Sequence, residues 1–141
     1  MNNPWIYKGK SILSLDVIPN YENVVGFVYR IIGPDGRIYI GKKVLHTSRK
    51  TRISKKEKIQ TATRKTFKRV VKESNWLEYY GSCEELKKDI KKLGKQHFKR
   101  EILVLCCTKK FLSFSELEYQ IKNDVLKTNS YNGNILSRYF G

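Results

Sequence analysis

Apolar and β-branched residues crowd into Val24–Ile32 (VVGFVYRII), give way to Gly33-Pro34-Asp35-Gly36, and return in Arg37–Gly41 (RIYIG). Two such runs about a turn predict a β-hairpin. Pro34 fixes φ at the first turn position, Asp35 suits the second and Gly36 can turn left-handed, which together specify a three-residue loop with a bulge. In that register Gly33 pairs with Arg37, so Ile31 lies opposite Tyr39 and Tyr29 opposite Gly41. Strand side chains alternate, so Tyr29 and Tyr39 share a face and Gly41 leaves room across from Tyr29. A two-residue loop would send the two tyrosines to opposite faces.

Further along, Ile59, Ala62, Phe67, Val70 and Val71 lie at helical spacing within Thr47–Ser74, predicting a loop that leads into one helix. Ser82 and Glu85 form a capping box before Leu86, Ile90 and Leu93, with Gly94 as the stop. His97–Cys107, with Phe98 and Ile102–Leu105, reads as a strand, and Phe114, Leu117, Ile121 and Val125 predict a last helix over about 114–127. Tyr131-Asn132-Gly133-Asn134 is a turn, followed by the short tail Ile135–Gly141. Residues 1–22 read as an N-terminal arm packing Trp5, Tyr7, Ile12, Leu13 and Leu15 on a body formed by 23–141. The order hairpin, helices, strand, helix predicts an α+β fold: a small, mostly antiparallel three-stranded sheet flanked by helices.

Composition narrows the function. The 141 residues are 40% hydrophobic and 12% aromatic, enough for a small core. No apolar run approaches a bilayer span and the N-terminus lacks the basic-then-apolar signal design, so no membrane partner is expected. Three Cys and two His give neither a disulfide framework nor a zinc spacing, which fits a reducing intracellular compartment. The net charge is +16, and Lys42–Lys72 alone holds thirteen Lys or Arg against the single acid Glu57. Without large apolar residues to insert into lipid, that segment favours nucleic acid.

Phe27-Val28-Tyr29 is followed, ten residues from Tyr29, by Tyr39-Ile40-Gly41. The pair resembles the GIY-YIG nuclease family, departing from Gly-Ile-Tyr in the first two positions. Arg49 lies eight residues after Gly41, Glu116 opens the last helix and Asn132 follows it, matching in order the Arg, Glu and Asn of the family. Trp76–Cys83 (WLEYYGSC), a helix, Gly94, Phe98 and an apolar strand are similar to phage-encoded, homing-type members. The resemblance covers roughly 24–134. It implies a GIY-YIG-like fold and an endonuclease cutting DNA, double-stranded above all, with one Mg²⁺ or Mn²⁺ ion per active site, leaving 5′-phosphate and 3′-hydroxyl ends. Tyr29, Tyr39, Arg49, Glu116 and Asn132 would be catalytic, Glu116 the metal ligand and Gly41 structural. A free-standing phage or homing-type nuclease of the host cytoplasm is implied, with restriction and repair open.

The chemistry needs these residue types. Phosphodiester hydrolysis requires an activated water, a cation at the phosphate and help for the leaving 3′ oxygen. Tyr29 and Tyr39 can orient or deprotonate the water, Arg49 can hold the phosphate in its fork, and Glu116 can bind one hard divalent ion. Each has a plainer reading. The tyrosines can be strand aromatics, Glu116 a helix cap over Ser113–Glu116, and Glu118 its rival over Ser115–Glu118. Arg49 competes with Lys42, Lys43, Lys50 and Arg52, His46 is a proton shuttle or a solvent-exposed side chain, and Asn132 is a turn former that Asn134 rivals. Lys55, Lys56, Lys58, Arg64, Lys65, Lys68, Arg69 and Lys72 read as phosphate contacts or a solvated helix face. A noncatalytic nucleic-acid binder would carry the same charge, and the Tyr29, Tyr39, Arg49, Glu116 constellation discriminates against it. Cutting both strands with one site per chain calls for a homodimer or tetramer, or for two visits.

Overall fold

The computed structural model describes residues 3–127 and 129–133. Its centre is the hairpin of β3 (Gly26–Ile32) and β4 (Ile38–Val44). The Gly33 N–H donates to the Arg37 carbonyl at 2.8 Å and Gly36 takes φ +87°, while the Asp35 carboxylate accepts from the Arg37 N–H at 3.1 Å. This is the three-residue loop, and the register follows: Tyr29 opposes Gly41 and Ile31 opposes Tyr39. On its other side β3 pairs antiparallel with β7 (Lys99–Cys106), where a bulge between Val28 and Tyr29 leaves Leu103 without an opposite residue.

The sheet has five strands, not three. The N-terminal residues supply β1 (Trp5–Tyr7), parallel to β7, and β2 (Lys10–Ile12), antiparallel to β1, giving the order β2-β1-β7-β3-β4. Lys8 (φ +49°) and Gly9 (φ +80°) make the two-residue left-handed turn between them. Three-residue strands are too short to show a period, and β1 finds its partner more than ninety residues away. Trp5 is fully buried, and its indole N–H donates to the Trp76 carbonyl at 2.7 Å.

The two sheet faces are covered differently. One packs Trp5, Phe27, Tyr29, Ile31 and Phe98 against Trp76 and the helix α2 (Glu84–Leu93) through Leu86 and Ile90. The other packs Val28, Ile40 and Cys106 against α3 (Lys109–Lys122) through Leu112. α2 ends at Gly94 as the sequence predicts, but its N-cap is Cys83, and the Ser82 hydroxyl pairs with Tyr39 instead of closing a capping box. α3 begins five residues before the predicted start: Thr108 caps it by accepting from the Phe111 N–H at 3.0 Å. Both predicted boxes, Ser113–Glu116 and Ser115–Glu118, therefore lie inside the helix. Phe114 and Ile121 face solvent, and Leu112, Ser115 and Gln120 are the buried positions.

Thr47–Ser74 is likewise not a loop and one helix. It is a two-stranded antiparallel ribbon of β5 (His46–Arg52) and β6 (Phe67–Glu73) with a seven-residue helix α1 (Lys55–Thr61) at its tip. Thr47, Thr51, Phe67, Val70 and Val71 carry strand propensity that the lysines between them mask. No helix among the described residues is long and apolar enough to cross a membrane.

Candidate active site

β4 is an edge strand, so the backbone groups of alternate residues point away from the sheet and need partners. Side chains supply them. The Asn132 amide both accepts from the Ile40 N–H (2.9 Å) and donates to the Ile40 carbonyl (2.8 Å), imitating a further strand. Gln120 on α3 donates to the same carbonyl at 3.1 Å, and the Tyr131 N–H donates to the Ile38 carbonyl at 2.8 Å. Glu116, one turn before Gln120, takes the next place along the edge, where the Lys42 backbone N–H and ammonium both favour its charged form. Burial pushes the Glu116 carboxyl up, and the Lys42 ammonium and N–H only partly offset that. Lys42 Nζ donates to Ser113 Oγ at 2.8 Å, one turn earlier on the same helix. Glu118 points elsewhere and pairs with Lys122 at 3.8 Å.

Tyr29 and Tyr39 share the other face of this edge, with ring centroids 6.1 Å apart. Tyr29 is 1% exposed and packs edge-on against Trp5 (5.3 Å) and Tyr79 (6.0 Å). Its ring lies across Gly41, where a Cβ would stand 2.5 Å from the phenol oxygen. Burial raises the Tyr29 hydroxyl well above the ordinary phenol range, and Tyr39, Tyr79 and the Glu116 charge add to the shift. Tyr39 is less buried, and its hydroxyl lies 3.2 Å from Ser82 Oγ. Burial raises it too, against the Ser82 hydrogen bond, with Tyr79 and Glu116 contributing. Both phenols are therefore neutral at physiological pH, and the Glu116 carboxylate lies within electrostatic reach of both.

Some of the participants were hidden in the sequence. Tyr79 packs edge-on against Tyr29, with ring centroids 6.0 Å apart, and holds Lys43 Nζ 4.0 Å over its ring, and burial lowers the Lys43 ammonium. The Tyr79-Tyr80-Gly81 run was the available signal: a Cβ on Gly81, which sits at φ +91°, would stand 3.1 Å from the Tyr39 ring. Arg100, buried under the same loop, donates to the carbonyls of Leu77 (3.0 Å), Tyr79 (2.9 Å) and Asn3 (3.2 Å) between the rings of Trp5 and Tyr80. Burial lowers it to about 10.

Tyr29, Tyr39, Gly41, Lys42 and Glu116 thus converge around the edge of β4, with Asn132 clipping that edge from outside. Arg49 is exposed on β5 beyond a bend at Leu45, and among the described residues no hydrogen bond, ion pair or ring contact ties it to the tyrosines or Glu116. His46, Lys50, Arg52, Lys55, Lys56, Lys58, Arg64, Lys65, Lys68, Arg69 and Lys72 all belong to the ribbon or its tip, with Lys68 paired to Glu57. Asn134 and the tail Ile135–Gly141 lie outside the described residues. Among the described residues no cluster of three or more His, Cys, Asp or Glu is positioned to share a metal ion.

Comparison with known proteins matches residues 5–140 to the family described as "Putative endonuclease segE, GIY-YIG domain". Neither the curated proteins nor the solved structures gave a match. The match takes in β1 as well as the central hairpin, in agreement with a sheet that runs from the N-terminal strands to the tyrosine edge. Over nearly its whole length, the chain belongs to the GIY-YIG endonuclease domain family.

Proposed function

We propose that this protein is a divalent-metal-dependent endonuclease that hydrolyses phosphodiester bonds in double-stranded DNA. The observation that carries the reading is the Glu116 carboxylate at the β4 edge, within electrostatic reach of two neutral phenols and beside the Lys42 cation. A plain nucleic-acid binder gains nothing from a half-buried acid at that place.

The donor chemistry suits one hard ion. Mg²⁺ keeps several waters and takes only one or two protein carboxylates plus a substrate phosphate, so Glu116 alone suffices to hold it, and Mn²⁺ fits the same donor. When bound there, the ion supplies positive charge against the phosphate oxygens. The remaining work falls to the chain. Tyr29 and Tyr39, held protonated by burial, orient the attacking water by hydrogen bonds rather than act as free tyrosinates. Lys42, and Arg49 from the middle of β5, bind the phosphate as its charge rises. Water adds to phosphorus as the bond to the 3′ oxygen breaks, and the proton the water releases to solvent is replaced by one taken up by the 3′ oxygen, giving a 5′-phosphate and a 3′-hydroxyl. Asn132 and Gln120 are positioning residues that fix the strand carrying Tyr39 and Gly41.

The likeness of Trp76–Cys83 to homing-type members supports a free-standing phage or homing nuclease acting inside the host cell, with a homodimer as the route to double-strand cuts. Supercoiled plasmid incubated with the protein and Mg²⁺ should be nicked or linearised, chelator should abolish this, and the new ends should accept a label at 5′ only after phosphatase treatment. Binding without cleavage across Mg²⁺ and Mn²⁺ would overturn the reading.

A further inference from the structure

Past Leu45 the chain leaves the main sheet and returns at Ser74, and between these points, among the described residues, β5 and β6 pair only with each other. The base is anchored, with the Leu45 N–H donating to the Val25 carbonyl (2.9 Å) and the Ser74 N–H to the Leu45 carbonyl (2.8 Å). A two-stranded ribbon is marginal by itself in water, so one standing off the body is suited to a partner that covers it.

Its two faces differ. The register places Ser48, Lys50 and Arg52 with Phe67, Arg69 and Val71 on one face, and all six are exposed, Phe67 by 55% and Val71 by 62%. On the other face Thr51 and Val70 are half-buried, and the ion pair between Lys68 and Glu57 ties α1 to the ribbon on that side. The bare face therefore mixes guanidinium and hydroxyl groups with two large apolar side chains. A surface that only neutralises phosphate has no use for exposed Phe and Val. Base edges in the major groove offer both acceptors for Arg and the thymine methyl for apolar contact, and that groove, about 12 Å wide, admits a two-stranded β-ribbon. Seven-residue strands span roughly 24 Å, enough to follow several base pairs. Residues 46–73 hold eleven Lys or Arg against two Glu, the charge complement of a duplex.

We propose that this ribbon enters the major groove of duplex DNA with the face of Arg52, Phe67, Arg69 and Val71, reading base edges there, while Lys55, Lys56 and Lys58 at the tip grip phosphates. The inference rests on the DNA substrate proposed above and assigns the part of the chain that chooses where on that substrate the nuclease sits.

The test measures binding to a labelled duplex of about 30 base pairs with A·T tracts, in chelator, against a major-groove ligand (methyl green) and a minor-groove ligand (netropsin). Methyl green should weaken binding at least about tenfold and netropsin less than about twofold. Phe67→Ala with Arg69→Gln should weaken binding at least about tenfold while flattening the salt dependence by about one unit, whereas Lys55→Gln with Lys56→Gln should flatten it by about two. Both pairs replace exposed side chains, and unchanged melting temperatures would exclude misfolding. Displacement by netropsin alone, wild-type affinity in the Phe67/Arg69 variant, or no binding to the duplex would overturn the proposal. Plasmid cleavage is read separately in Mg²⁺: the expected groove competition without any cleavage would remove the nuclease reading and leave the ribbon's role standing.

Discussion

Tyr29 occupies the space that a side chain on Gly41 would fill: a Cβ there would lie 2.5 Å from the Tyr29 hydroxyl oxygen and 2.7 Å from the carbon that bears it. The hairpin register makes the two residues opposite neighbours, and the absent Cβ leaves room for the phenol over Gly41, its ring tilted 40° to that of Tyr39. Tyr29 cannot swing clear, because Trp5, Phe27 and Tyr79 surround its ring. Gly41→Ala should therefore cost about 1–3 kcal/mol by overpacking and reduce cleavage more than DNA binding. Measured with Tyr29→Phe in a double-mutant cycle, the two changes should be non-additive. Additive effects would show that Gly41 does not act through Tyr29.

Asn132 makes two hydrogen bonds to a backbone that, among the described residues, has no strand beside it. Asn132→Ala should leave the buried Ile40 N–H unpaired and cost about 2–3 kcal/mol, seen in chemical denaturation, with a matching loss of activity. Asn132→Asp should lose nearly as much, since a carboxylate cannot donate to the Ile40 carbonyl. Gln120→Ala should cost less, because Asn132 still serves that carbonyl.

The raised Tyr29 pKa makes a statement about alkaline stability. Its folded value exceeds the unfolded value of about 10, so the stabilisation is full below pH 10 and is lost as pH rises through the folded value. Above pH 10 the wild type should lose stability more steeply than Tyr29→Phe, as read by melting temperature at successive pH values. Parallel curves would contradict a protonated, buried Tyr29.

Among the described residues Arg100 is buried without a carboxylate partner, its charge met by main-chain carbonyls and two aromatic faces. Arg100→Met should leave the Leu77, Tyr79 and Asn3 carbonyls under-satisfied and destabilise by about 3 kcal/mol or more. Because two of those carbonyls hold the loop that carries Tyr79, the variant should also lose cleavage at temperatures where it is still folded.

What was legible in the sequence was local. The Pro34-Asp35-Gly36 loop fixed the hairpin register, and through it the shared face of Tyr29 and Tyr39 and the empty place at Gly41. What was hidden depended on distant partners. β1 is a strand because β7 accepts it and β2 because β1 does, and nothing in six residues announces that. Ser113 and Ser115, each three residues before a glutamate, imitate helix starts, while the actual cap, Thr108, is followed three residues on by Phe111 and carries no box signal. Moving that start brought Glu116 from a cap to mid-helix, onto the stripe with Ser113 and Gln120 that meets β4. Whether Glu116 or Glu118 faced the edge was thus a matter of packing, and the place of Arg49 on β5, set by its pairing with β6, was hidden because the lysines around both strands obscured their pattern.

In the proposed mechanism Glu116 serves chemistry at the expense of stability. Its carboxyl is raised by burial, so its contribution to folding is full below the ordinary carboxylate pKa and is lost as pH rises through the folded value, which leaves an ionised cost at neutral pH. Glutamine keeps an acceptor for the Lys42 N–H but removes the charge. Glu116→Gln, assayed with Mg²⁺ under single-turnover conditions at pH 7.5 beside its melting curve, should lose at least about a thousandfold in cleavage rate while melting no lower than the wild type. Cleavage near the wild-type rate, or a loss of activity that merely tracks a lost fold, would contradict the account.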